Sequence, residues 1–224
     1  MIEPPAHDRV RRLYGRVNEL WSEHRDDLFG GACGFSVLSG PPIERPQVMI
    51  IGANPGFGVD DDQPCVEETW PARSYIQDAQ WPLARKIRAI FAEAGRSSHL
   101  ERAVQTNFLF FKSSTIKFAD DSRYPWEAVA SGVRTKLERW CADEVEELVG
   151  ALEPEIVLVL GIAPFDVHVR DASTVLMDRS GRRRLLAAGR IAGRPAVGIL
   201  HPTGAQVAGA DWSRVAAVLA ERIG

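Results

Sequence analysis

Two apolar runs in this 224-residue chain end abruptly in polar residues whose types suit chemistry. Gln47-Val48-Met49-Ile50-Ile51 leads into Gly52-Ala53-Asn54-Pro55-Gly56-Phe57-Gly58, and Ala196-Val197-Gly198-Ile199-Leu200 leads into His201-Pro202-Thr203-Gly204. Each run is short, continuous and closed by Pro and Gly, the pattern of a strand buried on both faces. Strands of a parallel sheet direct their carboxyl ends to one edge, where a crevice gathers side chains from distant parts of the chain. Asn54 and His201 are therefore expected to share a pocket. One is an amide, which orients a partner without titrating; the other is an imidazole, which offers one N–H even when neutral.

The elements that carry these junctions alternate along the chain. Val10, Leu13, Tyr14, Val17, Leu20 and Trp21 recur at helical spacing and predict an amphipathic helix up to about Leu28. Helical patterning resumes after Pro82, Ala103–Phe110 reads as a second strand, and Trp126 to Leu152 reads as one long helix or two short ones. Ile156–Gly161 is a third strand, and a final helix carries Trp212, Val215, Val218 and Leu219. Thr174–Met177 and Arg183–Leu186 read as a hairpin-like excursion around Ser180-Gly181. Four central strands separated by helices predict a single α/β domain over residues 1–224, a three-layer α/β/α sandwich on a central four-stranded parallel sheet.

Composition narrows the functional classes. With 45% hydrophobic residues the chain can bury a full core, and a net charge of −3 provides no global attraction to nucleic acid, so any such contact needs a local basic patch. No run of about 18 apolar residues exists and Met1-Ile2-Glu3-Pro4-Pro5 lacks the order of a signal peptide, so a cytoplasmic monomer without membrane contact is expected. Cys33, Cys65 and Cys141 are far apart and suggest neither a disulfide framework nor a zinc ribbon. Glu138, Asp143, Glu144, Glu146 and Glu147 read as a solvated helix face rather than a metal site, and the six Trp read mostly as packing residues, with only Trp70 in a loop near the proposed pocket.

Taken in order, the motifs resemble the uracil-DNA glycosylase superfamily. Gly52-Ala53-Asn54-Pro55-Gly56 is similar to the first motif of its mismatch-specific and single-strand-selective branches, and His201-Pro202-Thr203-Gly204 to its second. Thr106-Asn107 resembles the strand that carries the uracil-reading Asn, and Leu152–Gly161 resembles a third-strand segment of bacterial members. The likeness spans roughly Val48 to Gly204, and each motif alone is short.

This resemblance implies a monofunctional enzyme that hydrolyses the glycosidic bond of uracil, or another deaminated base, in DNA, with no cofactor. Asn54 would orient the attacking water. His201 would stabilise the anionic leaving base through an N–H aimed at O2. Asn107 would read the N3–H and O4 of a base flipped out of the stack, with Gly52, Ala53 and one of Phe57 or Trp70 completing the base pocket. Gly56 stands where stricter relatives carry a ring that blocks a 5-methyl group, so a permissive pocket is expected. Thr203, Gly204 and Gln206 would meet DNA, although this loop lacks the large wedge that relatives insert into a duplex. Three cysteines are too few for the iron–sulfur branch.

Local basic charge concentrates in Arg182, Arg183 and Arg184, with Lys112 nearer the second strand, and these residues are the candidate phosphate contacts. Each motif also has a plainer reading. Asn54-Pro55-Gly56 is the composition of a turn, His201-Pro202 could close a strand structurally, and Asn107 could cap backbone groups at a strand end. Two rival functions follow: a non-catalytic relative that binds DNA or abasic sites, and an enzyme acting on a free nucleoside or nucleotide. The second would accommodate the acidic run Asp60-Asp61-Asp62, which repels phosphates.

Overall fold

A computed structural model describes residues 6–56, 75–77, 81–117, 123–204 and 206–223. Six strands form one sheet: β1 Val48–Gly52, β2 Val104–Asn107, β3 Ile156–Leu160, β4 Arg170–Met177, β5 Arg184–Ile191 and β6 Arg194–Ile199. Their order is β2-β1-β3-β6-β5-β4; the first four run parallel, and β5 and β4 join antiparallel. The helices are α1 Ala6–Glu23, α2 Pro82–Glu93, α3 Ser131–Leu152, α4 Ile162–His168 and α5 Gly209–Arg222. Among the described residues, no helix is long and apolar enough to cross a membrane.

The period-2 alternation of the strands sorts the core into two clusters. Met49, Ile51, Val157, Val159 and Ala196 pack with α1 and α3, while Val48, Ile50, Leu158, Leu160, Val197 and Ile199 pack with α2 and α5. Because β1 and β3 are buried on both faces, they are apolar at every position, which is why these strands stand out in the sequence.

The expected four-stranded parallel sheet is correct for β2-β1-β3-β6 and incomplete beyond it. The segment read as an excursion around Ser180-Gly181 is a hairpin that extends the sheet, with β5 pairing β6 from Leu186 opposite Ile199 to Ile191 opposite Arg194. It lacks a buried strand's signature because β4 is the edge: Arg170 to Thr174 are all exposed and polar or small. The opposite edge, β2, is covered instead. Ser39 N donates to Gln105 O at 2.9 Å, and the segment from Gly34 continues along the chain beyond β2 through Ser36 N to Phe110 O at 2.8 Å.

Helix limits differ from the periodicity in two places. α1 stops at Glu23 rather than Leu28; residues 24–28 continue as turns that lead into Phe29 and Gly30, whose left-handed φ of 59° and 65° turn the chain away from the helix direction. Trp126–Ala128 is a separate 3₁₀ turn, followed by extended Val129 and Ala130, so the α3 region is a single 22-residue helix entered from a turn. The short α4, seven residues containing Pro164, has no readable period.

Packing of α4 on β6 depends on Gly198, where an added Cβ would lie 2.4 Å from the Phe165 ring. Gly198→Ala is expected to cost about 1–3 kcal/mol through overpacking, measured by urea unfolding. Gly150→Ala, in open space on α3, is expected instead to add about 0.5–1 kcal/mol.

Candidate active site

β1 connects to β2 on one side and is flanked by β3 on the other, so the chain changes direction across the sheet at β1 and leaves a crevice at the carboxyl ends. A cleft of about 680 Å³ opens there, and Asn54, Asn107 and His201 all line it. Gly52, Ala53, Lys112 and Thr203 share the lining, together with Ser36, Gln105, Trp81 and Leu160.

Asn54 follows the end of β1 by two residues and is tied to a distant segment. Its Nδ2 donates to Ser113 O at 3.1 Å and Ser113 Oγ at 2.9 Å, and also lies 3.3 Å from Pro55 O. Ser113 is fully buried, and its N–H returns to Pro55 O at 3.4 Å. The segment does bend as its composition requires, but Ser113 fixes the amide. With the N–H groups engaged, Oδ1 is the acceptor left to the cleft.

Asn107 ends β2 directly opposite Gly52. A Cβ at residue 52 would sit 2.3 Å from Asn107 Oδ1, so the absence of a side chain at Gly52 is what admits the amide. Asn107 is 6% exposed, and among the described residues its side chain caps no backbone group, contrary to the plainer reading of a strand-end cap.

His201 leaves β6 after Leu200, whose N–H is held by Leu185 O at 2.9 Å. The next residue is clamped as well, with Lys86 Nζ on α2 donating to Pro202 O at 2.8 Å. Thr203 Oγ1 lies 3.2 Å from His201 Nδ1. Burial, and secondarily the Lys86 charge, lower the His201 pKa from its ordinary 6.5, so the ring is neutral at neutral pH. The folded value lies below the unfolded one, so the associated stability is present above pH 6.5 and is lost as pH falls through the window beneath it.

Other expected site residues lie elsewhere. Thr203 is exposed and borders the cleft, whereas the exposed Gly204 and Gln206 border a neighbouring hollow with Lys86 and Trp212. Arg182, Arg183 and Arg184 do not line the cleft; they belong to the β4–β5 hairpin, whose loop reaches the same sheet edge beside β6. Arg184 is paired with Asp166, and Arg183 donates to Gln206 O at 3.0 Å, which joins the hairpin to the His201 loop. Lys112 stands inside the cleft lining rather than on an outer phosphate track. Phe57 and Trp70 lie outside the described residues.

The sequence pattern did not disclose four contributors. Ser113 and Lys86 act through partners 59 and 116 residues away and have no local signature. Trp81, taken for a packing residue, precedes α2 at the cleft rim and is 49% exposed. Gln105 did carry a signal, a long polar side chain inside a buried strand two residues from Asn107. Among the described residues, no group of three or more His, Cys, Asp or Glu could hold a metal ion.

An NMR titration is expected to place the His201 midpoint below 6.5, and Lys86→Met to raise it only part of the way back, since burial is the larger cause. A wild-type midpoint at or above 6.5 contradicts this electrostatic account. No protein-family model matches the chain and no curated protein matches it.

Proposed function

We propose that this chain is a monofunctional DNA glycosylase that hydrolyses the N-glycosidic bond of uracil or a related deaminated base. The observation that carries the proposal is convergence: Asn54, Asn107 and His201 arrive from the ends of β1, β2 and β6 at one cleft. Its volume, about 680 Å³, suits a small-molecule site and admits a flipped nucleobase.

Asn107 matches the uracil edge, since its Oδ1 accepts from N3–H and its Nδ2 donates to O4. Cytosine reverses that pattern, so the unmodified base is rejected by unpaired polar groups. Bond cleavage places negative charge on the departing base. In the tautomer this mechanism requires, the neutral ring carries its proton on Nε2, accepts at Nδ1 from Thr203 Oγ1 3.2 Å away, and presents the Nε2–H to the developing anion at O2. Lys112 adds positive charge to the same wall. Asn54 Oδ1 holds the water that traps the oxocarbenium-like sugar; an amide cannot deprotonate that water strongly, so departure of the base precedes attack.

Arg182 and Arg183, exposed at the hairpin loop beside the cleft, suit the phosphates flanking a flipped nucleotide. Salt dependence distinguishes a polymeric substrate from a free nucleotide. DNA binding should weaken steeply as salt rises, whereas a free nucleotide should be much less sensitive.

Single-turnover release of uracil from oligonucleotides tests the assignment. Asn54→Ala and His201→Ala are each expected to lose roughly 10²–10³ in rate. Gly52→Ala is expected to lose activity with the fold retained, because its Cβ would displace the Asn107 amide. Borohydride should trap no covalent adduct, since no amine attacks the sugar. Tight DNA binding by the wild type without base release would favour the non-catalytic rival.

A further inference from the structure

The segment that follows β2 is clamped around Lys112. Lys112 N donates to Gly34 O at 2.9 Å, on the stretch that covers the β2 edge, and Ser113 N reaches Pro55 O at 3.4 Å. Ser113 turns inward, fully buried, to hold Asn54, while its neighbours Lys112 and Ser114 both line the cleft. Lys112 is partly buried, and among the described residues no carboxylate pairs with its ammonium. No Asp or Glu is among the described residues that line the cleft. An ammonium drawn partly out of water without a counter-ion is costly, and the wall is therefore set for an anionic group of a ligand. Ser114 adds a hydrogen-bond donor. Its N donates to Tyr124 O at 2.9 Å and its Oγ accepts from Tyr124 N at 3.1 Å, which holds the oxygen in place and leaves its own O–H to give. The positive field continues outward from this pair. Burial pushes the Cys33 thiol up to about 11, and the charges that oppose the rise are those of Lys112 and the exposed Arg123.

We propose that Lys112 and Ser114 form a phosphate subsite inside the cleft, which anchors one of the two phosphodiester groups flanking the nucleotide whose base enters it. The identity of that ligand as DNA rests on the proposed function. A lysine serves phosphate as a point charge, and a hydroxyl adds direction. The other flanking phosphate falls to the hairpin. Lys112 stands on the β2 side of the cleft, whereas Arg182 belongs to the β4–β5 hairpin beyond β6, so the strand crosses the carboxyl edge of the sheet from one basic group to the other. Ser113 links this anchor to the chemistry: it is bonded to Lys112 and Ser114 in the chain and to Asn54 through its hydroxyl. A phosphate fixed beside it holds the sugar against the water that Asn54 orients.

The test measures single-turnover uracil release from oligonucleotides in which one flanking phosphate at a time is replaced by an uncharged methylphosphonate. In the wild type, replacement on one side should slow release roughly 10- to 100-fold through loss of the charged contact with Lys112. Lys112→Met and Lys112→Gln should each slow release from the unmodified oligonucleotide by a similar factor and become insensitive to that replacement, while keeping their sensitivity on the other side. The slope of log affinity against log salt should fall by about one in each variant. Thermal unfolding of the ligand-free variants should be unchanged or raised, because an unpaired charge is removed. A clear fall in Tm for both variants, or failure of both to fold, overturns the proposal by showing that Lys112 supports the structure. Uracil release that is indifferent to both replacements in the wild type, or equally sensitive in wild type and variants, overturns this inference and leaves the glycosylase proposal standing. No release of uracil by the wild type removes both.

Discussion

The Cβ that Gly52 lacks would occupy almost the same space as Asn107 Oδ1, 2.3 Å away. These residues are register partners at the carboxyl ends of β1 and β2, so the cleft wall is set by the sheet itself rather than by a loop. A side chain on one requires its absence on the other. The ladder continues past the pair, with Phe108 N donating to Gly52 O at 2.9 Å and Leu109 N to Ala53 O at 3.0 Å. Consequently Asn107 is presented from rigid backbone on both sides, which suits the base-reading role proposed for it.

The other two side chains sit on loops and are held by remote ties. Ser113 fixes the amide of Asn54, Lys86 clamps Pro202 behind His201, and Arg183 binds the backbone of Gln206. Each tie leaves the partner's chemistry free. Engaging Nδ2 of Asn54 frees its carbonyl oxygen, and the Lys86 ammonium beside His201 helps burial keep that ring neutral. Positive charge is thus divided between Lys112 in the cleft wall, Lys86 behind the His201 loop, and the hairpin loop, a distribution that a net charge of −3 conceals.

Much of the fold is legible from periodicity because β1, β3 and β6 are buried where sequence is least ambiguous, in continuous apolar runs. The hairpin was visible as two segments but not as part of the sheet. Its edge strand is polar, and only pairing with β6 reveals that it completes the layer. Trp81 is hidden for the opposite reason: an aromatic residue at the start of a helix has the composition of packing, and only the position of α2 at the cleft leaves it exposed.

Local sequence alone determined the parallel core strands, the polar junctions that end them, and Asn54 and His201 as the groups to watch, because strand burial and turn chemistry are encoded by neighbours; Asn107 is marked only by the family resemblance. Tertiary structure decided that these three face one cleft, that Ser113 and Lys86 hold two of them, that Arg184 is paired with Asp166, and that the Gln105 carbonyl is buried without a partner. Those outcomes depend on which residues, dozens of positions apart, the sheet order brings within hydrogen-bonding distance, and no local pattern carries that information.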